Sequence, residues 1–446
     1  MKTLTITAGE YIVSRDRDEA LQTFLGSCVG IGLYDKRKGI GALGHIVLPE
    51  GSRKKEFLSP GTFARSAIPM LLNEMEVLGA SPSDTTAFIA GGASIRNKKA
   101  NGLDLRIGQR NIHAVRKYLI KESIPIVFED CGQDYGRTMT LFMNTGHVTV
   151  RPSMSNTSPE EDSTPSGAGP IDPDVFKQHI DDLVPVSGYA LRALRLANDK
   201  GITFSELERL ILKDQVLTAN LLKIANSAYY GLPRQITRLS QILSLLGLNG
   251  FKRILLESIV YSAFSTTRHA YSTEQGALFE HALGCARLSE VLARRCGLNH
   301  EDAYVAGLLH DLGKVVIERC AKDRFALVMD RVSREEYAYF ADAEREIIGI
   351  DHATLGGMVL VKWGLPQMLS EAVAFHHQPY FGSEAPKAVA LVHLSNHICH
   401  LLGIGVGVDT LKNPVDARAV ELLGIRHETI EDIIGDVKQI VRLSTN

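Results

Sequence analysis

Cys28 lies between a Gly26-Ser27 turn and the apolar run Val29 to Tyr34, and the next histidine in the chain is His45. If Val29 to Tyr34 and Ala42 to Leu48 pair as a hairpin across Asp35 to Gly41, Cys28 and His45 fall at the same end, opposite the turn. An imidazole so placed can take the thiol proton and give a thiolate at neutral pH, which a cysteine nucleophile requires. A hydroxyl such as that of Thr23 can engage the other ring nitrogen and orient the ring, as the third member of a triad does. Backbone N–H groups around Gly26 to Cys28 can stabilise a tetrahedral oxyanion. The competing assignment is a small buried cysteine and a strand histidine whose N–H meets a carbonyl.

A second constellation follows in the other half of the chain: His281, the His310-Asp311 pair, His352 and the His376-His377 pair, all expected on helices. Adjacent helical residues differ in direction by about 100°, so such a doublet can grip one ion, or two close ions, from a single turn. Imidazole with carboxylate suits iron, manganese, nickel or zinc, and an open coordination position activates water for phosphoester hydrolysis. The alternative is a set of exposed or capping histidines. His393, His397 and His400 share one helical face, which reads as a partly buried interface stripe before it reads as a metal site.

The elements that must position these residues divide at Pro152 to Asp174, a stretch of Pro, Ser, Thr, Gly and acidic residues that cannot bury enough to offset its ordering entropy. Before it, short runs (Leu4 to Thr7, Val29 to Tyr34, Ala42 to Leu48, Thr86 to Ile89, Ile124 to Phe128, Thr138 to Asn144, His147 to Arg151) read as strands. Apolar residues at three- and four-residue spacing predict helices near Thr62 to Leu78 and Arg110 to Glu122. That mixture reads as an α/β or α+β domain over 1–151. After the linker at 152–174 the pattern is all-α over 175–446. There Thr203 and Glu206 form a capping-box signature before Leu207, Leu210 and Ile211, and Ile236, Leu239, Ile242, Leu243 and Leu246 form another stripe. Val420, Leu423, Ile430, Ile433 and Ile434 are expected to close the bundle.

The 446 residues suffice for two or three domains, and 45% hydrophobic content excludes a wholly disordered chain. The six cysteines form no CxxC pair, so neither a zinc knuckle nor a disulfide framework is indicated. Cys131 follows the acids Glu129 and Asp130, which raise a thiol pKa, and is read as structural. A net charge of −2 gives no reason to expect nucleic acid as the main ligand. The N-terminus lacks an apolar signal core and no stretch is long enough without charge to cross a bilayer, so a cytoplasmic location without membrane insertion is expected. The Gly91-Gly92-Ala-Ser94 segment lacks the lysine and helix of a nucleotide site and reads as a tight turn near the active site.

The series Gly26-Ser27-Cys28-Val29, Gly44-His45-Ile46-Val47-Leu48-Pro49, Pro60-Gly61, Ile89-Ala-Gly-Gly-Ala-Ser94, Ile107-Gly-Gln-Arg-Asn111 and Glu129-Asp130 resembles the CheD family of chemoreceptor glutamine deamidases over residues 1–151. The resemblance implies a Cys-His-Thr triad that converts receptor glutamine side chains to glutamate with release of ammonia. Cys28 is then the nucleophile and His45 the base. Some members hold the threonine one residue farther from the cysteine, where this chain has Gln22, and Thr23 is the hydroxyl nearest that position. The implied partners are methyl-accepting chemotaxis receptors and a CheC-type chemotaxis phosphatase, and no cofactor is implied for the deamidase.

Residues 175–405 in turn resemble an HDOD domain, the signalling relative of the HD phosphohydrolases. The motifs are Val184-Pro185, Lys213-Asp214-Gln215, Ala225-Asn226-Ser227-Ala-Tyr-Tyr-Gly-Leu-Pro233, Leu245-Leu246-Gly247, Ala306-Gly-Leu-Leu-His310-Asp311-Leu-Gly-Lys314, Glu344-Arg345-Glu346, Asp351-His352 and His376-His377. Asn396 stands where catalytic HD proteins hold a metal-binding aspartate, and an amide oxygen is a weaker, neutral ligand. The glycine-tyrosine-proline signature of cyclic-dinucleotide phosphodiesterases is absent after His377. The leading expectation is a receptor deamidase coupled to an HDOD signalling module. The alternatives are a non-catalytic chemotaxis adaptor and a metal-dependent phosphohydrolase acting through the HD-like domain.

Overall fold

The computed structural model describes residues 1–52, 56–57, 59–93, 106–133, 135–152, 170–172, 174, 176, 187–197, 203–227, 230–232, 234–265, 271, 276–334, 336–337, 339–379, 383–405 and 415–435. Most of the expected linker at 152–174 therefore lies outside the described residues. The chain folds as two compact units. One comprises the described residues of Met1–Thr164 with those of Asn396–Ile440, and the other those of Pro165–Ser395.

The first unit is a mixed α/β structure with two sheets. Five strands, β2 (Tyr11–Ser14), β4 (Val29–Asp35), β5 (Ile40–Ile46), β6 (Thr85–Gly91) and β7 (Ile126–Cys131), lie in the order β2-β5-β4-β6-β7. The others, β1 (Lys2–Ile6), β3 (Glu19–Leu25), β8 (Arg137–Phe142) and β9 (His147–Pro152), form a second sheet in the order β1-β3-β8-β9. The predicted β4–β5 hairpin is present, with Val29 opposite Ile46 and Gly30 opposite His45. Both strands are buried throughout, so each face needs a partner.

Alternation along β4 supplies one on each side. Val29, Ile31 and Leu33 pack with Ile68, Leu71, Val115 and Leu119 from α1 (Ala64–Val77) and α2 (Ile107–Lys121). Gly30 and Gly32 face the other way, where an added Cβ would press on Leu25 and Met139 of the second sheet. Glycine on that face lets the two sheets approach, and the face also carries His45. Strands β2 and β3 are absent from the sequence expectation. β2 is four residues long, and β3 reads Glu-Ala-Leu-Gln-Thr-Phe-Leu, a mixture of helix formers recruited to a sheet by pairing with β1 and β8.

The second unit is helical. Thr203 and Glu206 form the expected capping box before Phe204–Ile211 (α3), which buries Leu207, Leu210 and Ile211. The helices that matter for the site are α4 (Leu239–Ser265, broken at Gly247 with φ 69°), α5 (Ala277–Arg295), α6 (His300–Leu309), α7 (Leu312–Cys320), α8 (Phe340–Ile347), α9 (His352–Lys362) and α10 (Gln367–Ala374). Helix α11 (Pro386–Leu402) enters the first unit at Asn396. It is followed there by α12 (Ala417–Leu423) and α13 (His427–Gly435). The sequence pattern assigns this terminal segment to the helical bundle, whereas its packing groups it with the α/β unit. Among the described residues no helix is long and apolar enough to cross a membrane.

Gly91 has φ 100°, and an added Cβ would overlap the Cys28 carbonyl oxygen. Gly91→Ala is expected to destabilise the protein by about 2 kcal/mol, from left-handed strain and the clash together. An unchanged urea midpoint would show that the Cys28 loop yields freely at this point.

Candidate functional site

The loop between β3 and β4 carries Gly26, Ser27 and Cys28, and its carbonyls are bound from outside the loop. Ala93 N–H donates to Gly26 O at 2.9 Å and Gly92 N–H to Cys28 O at 2.7 Å. Asn111, buried on α2, donates its side-chain amide to Ser27 O at 3.3 Å and to Val47 O at 2.8 Å. The Gly91-Gly92 turn thus packs beside the cysteine as expected for its described residues, while Ser94 lies outside them. Because C=O and N–H of one peptide point in opposite directions, binding of the Ser27 carbonyl also fixes the direction of the Cys28 N–H.

His45 stands opposite Gly30. Cys28 lies in the loop, one residue before β4 begins and two before Gly30. Thr23 reaches His45 from β3, with Thr23 Oγ1 2.8 Å from His45 Nδ1 and 3.0 Å from the Ile6 carbonyl. A hydroxyl has one proton. Given to Ile6 O, it leaves Thr23 to accept from Nδ1–H, so the imidazole carries its proton on Nδ1 and a lone pair on Nε2. That Nε2 is buried without a hydrogen-bond partner. The Cys28 thiol donates instead to the Leu401 carbonyl at 3.3 Å. Burial pushes the Cys28 thiol up to about 12 and His45 down to about 3, so both are neutral near pH 7 in this arrangement. Cys131 is likewise pushed up to about 12, by burial first and by Glu129 next. The Asn111 clamp lies inside a quoted motif, but its hydrogen-bond role has no local sequence signal.

In the second unit the six metal-candidate residues form two buried groups, His281 with His310 and Asp311, and His352 with His376 and His377. Asp311 joins them: its carboxylate is 3.3 Å from His310 Nε2, 3.7 Å from His281 Nε2 and 3.5 Å from His352 Nε2. Only His281 and His352 lie within helices. His310 and Asp311 occupy the break between α6 and α7, and His376 and His377 the turn after α10. The expectation of helical doublets is corrected there, and the cause is capping. His310 Nδ1 lies 2.8 Å from Gly307 O and His376 Nδ1 2.7 Å from Val373 O, so each ring meets a carbonyl that the ending helix leaves unpaired.

Carbonyls accept, so both rings carry a proton on Nδ1; neither Nε2 has a hydrogen-bond partner, and that of His376, which burial keeps neutral, directs a lone pair inward. Glu344 of α8 does the same for His352, accepting from its Nδ1 at 2.7 Å and its backbone N–H at 2.9 Å. Tyr271 donates to the other Glu344 oxygen. His377 Nε2 lies 2.9 Å from His352 Nε2. Burial alone would raise the Asp311 carboxyl, but His310, Lys314 and His281 outweigh it and hold Asp311 well below the usual range. Burial and neighbouring rings push His376 and His377 well down, leaving them neutral.

Lone pairs converging with one carboxylate fit a divalent cation. Lys314 Nζ, 2.7 Å from Asp311, supplies a cation of the protein's own. Gly313 makes the closure of this site feasible, since a Cβ there would overlap the His352 carbonyl where α7 meets α9. Glu344, Lys314 and Tyr271 are absent from the sequence-derived site. The first two lie in recognisable motifs, and Tyr271 has no local signal.

These two sites belong to a two-domain protein of the chemotaxis signalling class. Residues 47–152 match the family described as CheD chemotactic sensory transduction, and residues 183–379 match the HDOD domain family. A Clostridium kluyveri protein named "Probable chemoreceptor glutamine deamidase CheD" is 46% identical over 127 residues, covering 28% of this chain and 78% of that protein. A Clostridium botulinum protein of the same name is 39% identical over 151 residues, covering 34% of this chain and 93% of its own length. The solved structure of a Geobacter sulfurreducens HDOD domain protein of unknown function is 26% identical, covering 60% of this chain and 97% of that one at a TM-score of 0.45. The chain belongs to the CheD family and carries an HDOD domain. Thr23, Cys28 and His45 precede the CheD match, which starts at Val47.

Two outcomes test this geometry. Between about pH 6.5 and 3 the unfolded chain takes up a proton on His45 that the folded chain does not, so stability falls as pH drops through that window. In His45→Gln that contribution is gone, and the urea midpoint should fall less steeply than in wild type from about pH 6.5 to 4; parallel slopes would contradict a neutral, buried His45. For the second unit, equilibrium dialysis of the full chain against manganese or zinc should show binding. His310→Ala should abolish it and Glu344→Gln should weaken it by about tenfold or more, whereas wild-type affinity in both variants would place the ion elsewhere.

Proposed function

We propose that the chain hydrolyses glutamine side-chain amides of methyl-accepting chemotaxis receptors to glutamate and ammonia, with Cys28 as nucleophile, His45 as base and Thr23 as the group that orients the base. The observation that carries this reading is the Thr23–His45 bond, whose proton count leaves Nε2 as an acceptor at the end of the β4–β5 hairpin that Cys28 immediately precedes. Membership of the CheD family supports the substrate class, since the named relatives are chemoreceptor glutamine deamidases.

The thiol proton passes to His45 Nε2 as sulfur attacks the amide carbon. The oxygen gains negative charge beside the backbone N–H groups of Ser27 and Cys28, whose directions are set by the Ala93 and Asn111 contacts. His45 returns the proton to the departing nitrogen, ammonia leaves, and a thioester joins Cys28 to the substrate. Water, deprotonated by the same Nε2, then releases glutamate and the thiol.

Residues 1–151 are the proposed deamidase domain, 152–174 the linker and 175–446 the part carrying the HDOD signalling domain, its described residues from Asn396 onward packing with the α/β unit. The proposed location is the cytoplasm, as action on receptor cytoplasmic segments requires, and a CheC-type phosphatase is a further proposed partner. His281, His310, Asp311, His352, His376 and His377 are the proposed ligands of a divalent ion. Bound there, the ion would supply Lewis acidity. Asn396 in place of an acidic ligand favours a binding role over phosphoester hydrolysis.

Incubating a receptor cytoplasmic fragment with the full chain should add about one mass unit at defined glutamines, the difference between amide and acid, with no such change for Cys28→Ala. Asn111→Ala should slow the reaction by about tenfold or more through misdirection of the Cys28 N–H. Deamidation by Cys28→Ala at the wild-type rate would refute the assignment.

A further inference from the structure

Within the first unit the nucleophile loop is covered by a helix end from the same chain. Helix α11 finishes at Leu402, and the chain turns through Gly403 at φ 67° and Gly405 at φ 58°. The last carbonyls of a helix lack intrahelical donors. Two of them are satisfied by the turn itself, Cys399 O by Ile404 N–H at 3.0 Å and His400 O by Gly403 N–H at 3.2 Å. The Leu401 carbonyl takes Ser27 Oγ–H at 2.8 Å and the Cys28 thiol at 3.3 Å. The fit leaves little space at Gly26, where an added Cβ would meet the His400 carbonyl oxygen at 3.3 Å. Leu401, Leu402, Ile404, Ser27 and Cys28 are all buried in the result.

The chemistry of this contact opposes catalysis in two ways. A helix C-terminus carries partial negative charge, which disfavours a thiolate, in contrast to the helix N-termini that activate cysteines. The thiol proton is also directed at Leu401 O while His45 Nε2 has no partner, so the proton transfer that makes the nucleophile cannot begin.

We propose that the surface formed by Gly26, Ser27 and Cys28 is a docking site for a helix C-terminal turn, that His400–Ile404 of this chain occupies it, and that a receptor segment must displace that turn to reach Cys28. The inference rests on the deamidase reading for the nature of the displacing partner. The occupant is assigned by the hydrogen bonds themselves.

The test is the rate at which iodoacetamide labels Cys28 in the full native chain, followed by peptide mass mapping to separate it from the other cysteines. Native Cys28 should label at least about a hundredfold more slowly than in the urea-unfolded chain, because neither access nor thiolate is available. Ser27→Ala removes one of the two bonds to Leu401 O and should accelerate labelling about fivefold, the factor for one net hydrogen bond. Leu401→Asp, which puts a charge into the buried turn, should accelerate it by about tenfold or more. If that variant unfolds by circular dichroism, Ser27→Ala decides alone. Labelling of native Cys28 at the unfolded rate, or no acceleration in the folded variants, overturns the docking site. Receptor mass spectrometry on the same samples separates the two readings: faster labelling without any glutamine conversion leaves the docked turn standing and removes the deamidase. Conversion with unaltered labelling does the reverse.

Discussion

A single proton governs the first unit. Thr23 can give its hydroxyl hydrogen once, and the Ile6 carbonyl at 3.0 Å takes it, which obliges His45 to be the donor across the 2.8 Å contact. That outcome depends on β1 lying parallel to β3 with Ile6 in register with Thr23, and on β5 holding His45 toward the same sheet. Gly30 and Gly32 contribute by having no side chain to separate the sheets. The strand order therefore sets the tautomer of one ring.

The helical unit reaches the same end by another route. Its rings are oriented by what helices leave unpaired, a Gly307 carbonyl for His310 and a Val373 carbonyl for His376, and by the Glu344 carboxylate for His352. His393 adds a further tie, its Nδ1 2.7 Å from the His376 carbonyl. In each case one nitrogen is committed to scaffold and the other directed inward. The Asp311 charge is retained because Lys314 and the surrounding rings offset its burial.

Much of this was legible in the sequence where patterns are local. The β4–β5 hairpin, the capping box at Thr203 and both helices of the α/β unit follow from alternation, spacing and turn residues. What escaped depends on distant parts of the chain. Glu19–Leu25 has the composition of a helix and becomes a strand through its two neighbours. The His310-Asp311 and His376-His377 pairs have helical flanks, but the breaks that aim them come from side chains capping the preceding turn. The contact between Cys28 and Leu401 spans a sequence separation of 373 residues, and no local pattern encodes such a meeting.

The first unit is discontinuous: its second segment begins at Asn396, about 230 residues after the first ends. Ribosomes add roughly 5–20 residues per second, so the strands around Cys28 are complete about 10–50 s before the turn that covers them exists. For that interval each nascent molecule carries an uncovered cysteine loop. The order of synthesis thus imposes a temporal asymmetry that the finished fold conceals: the loop is built open, and its cover is among the last parts of the unit to be made.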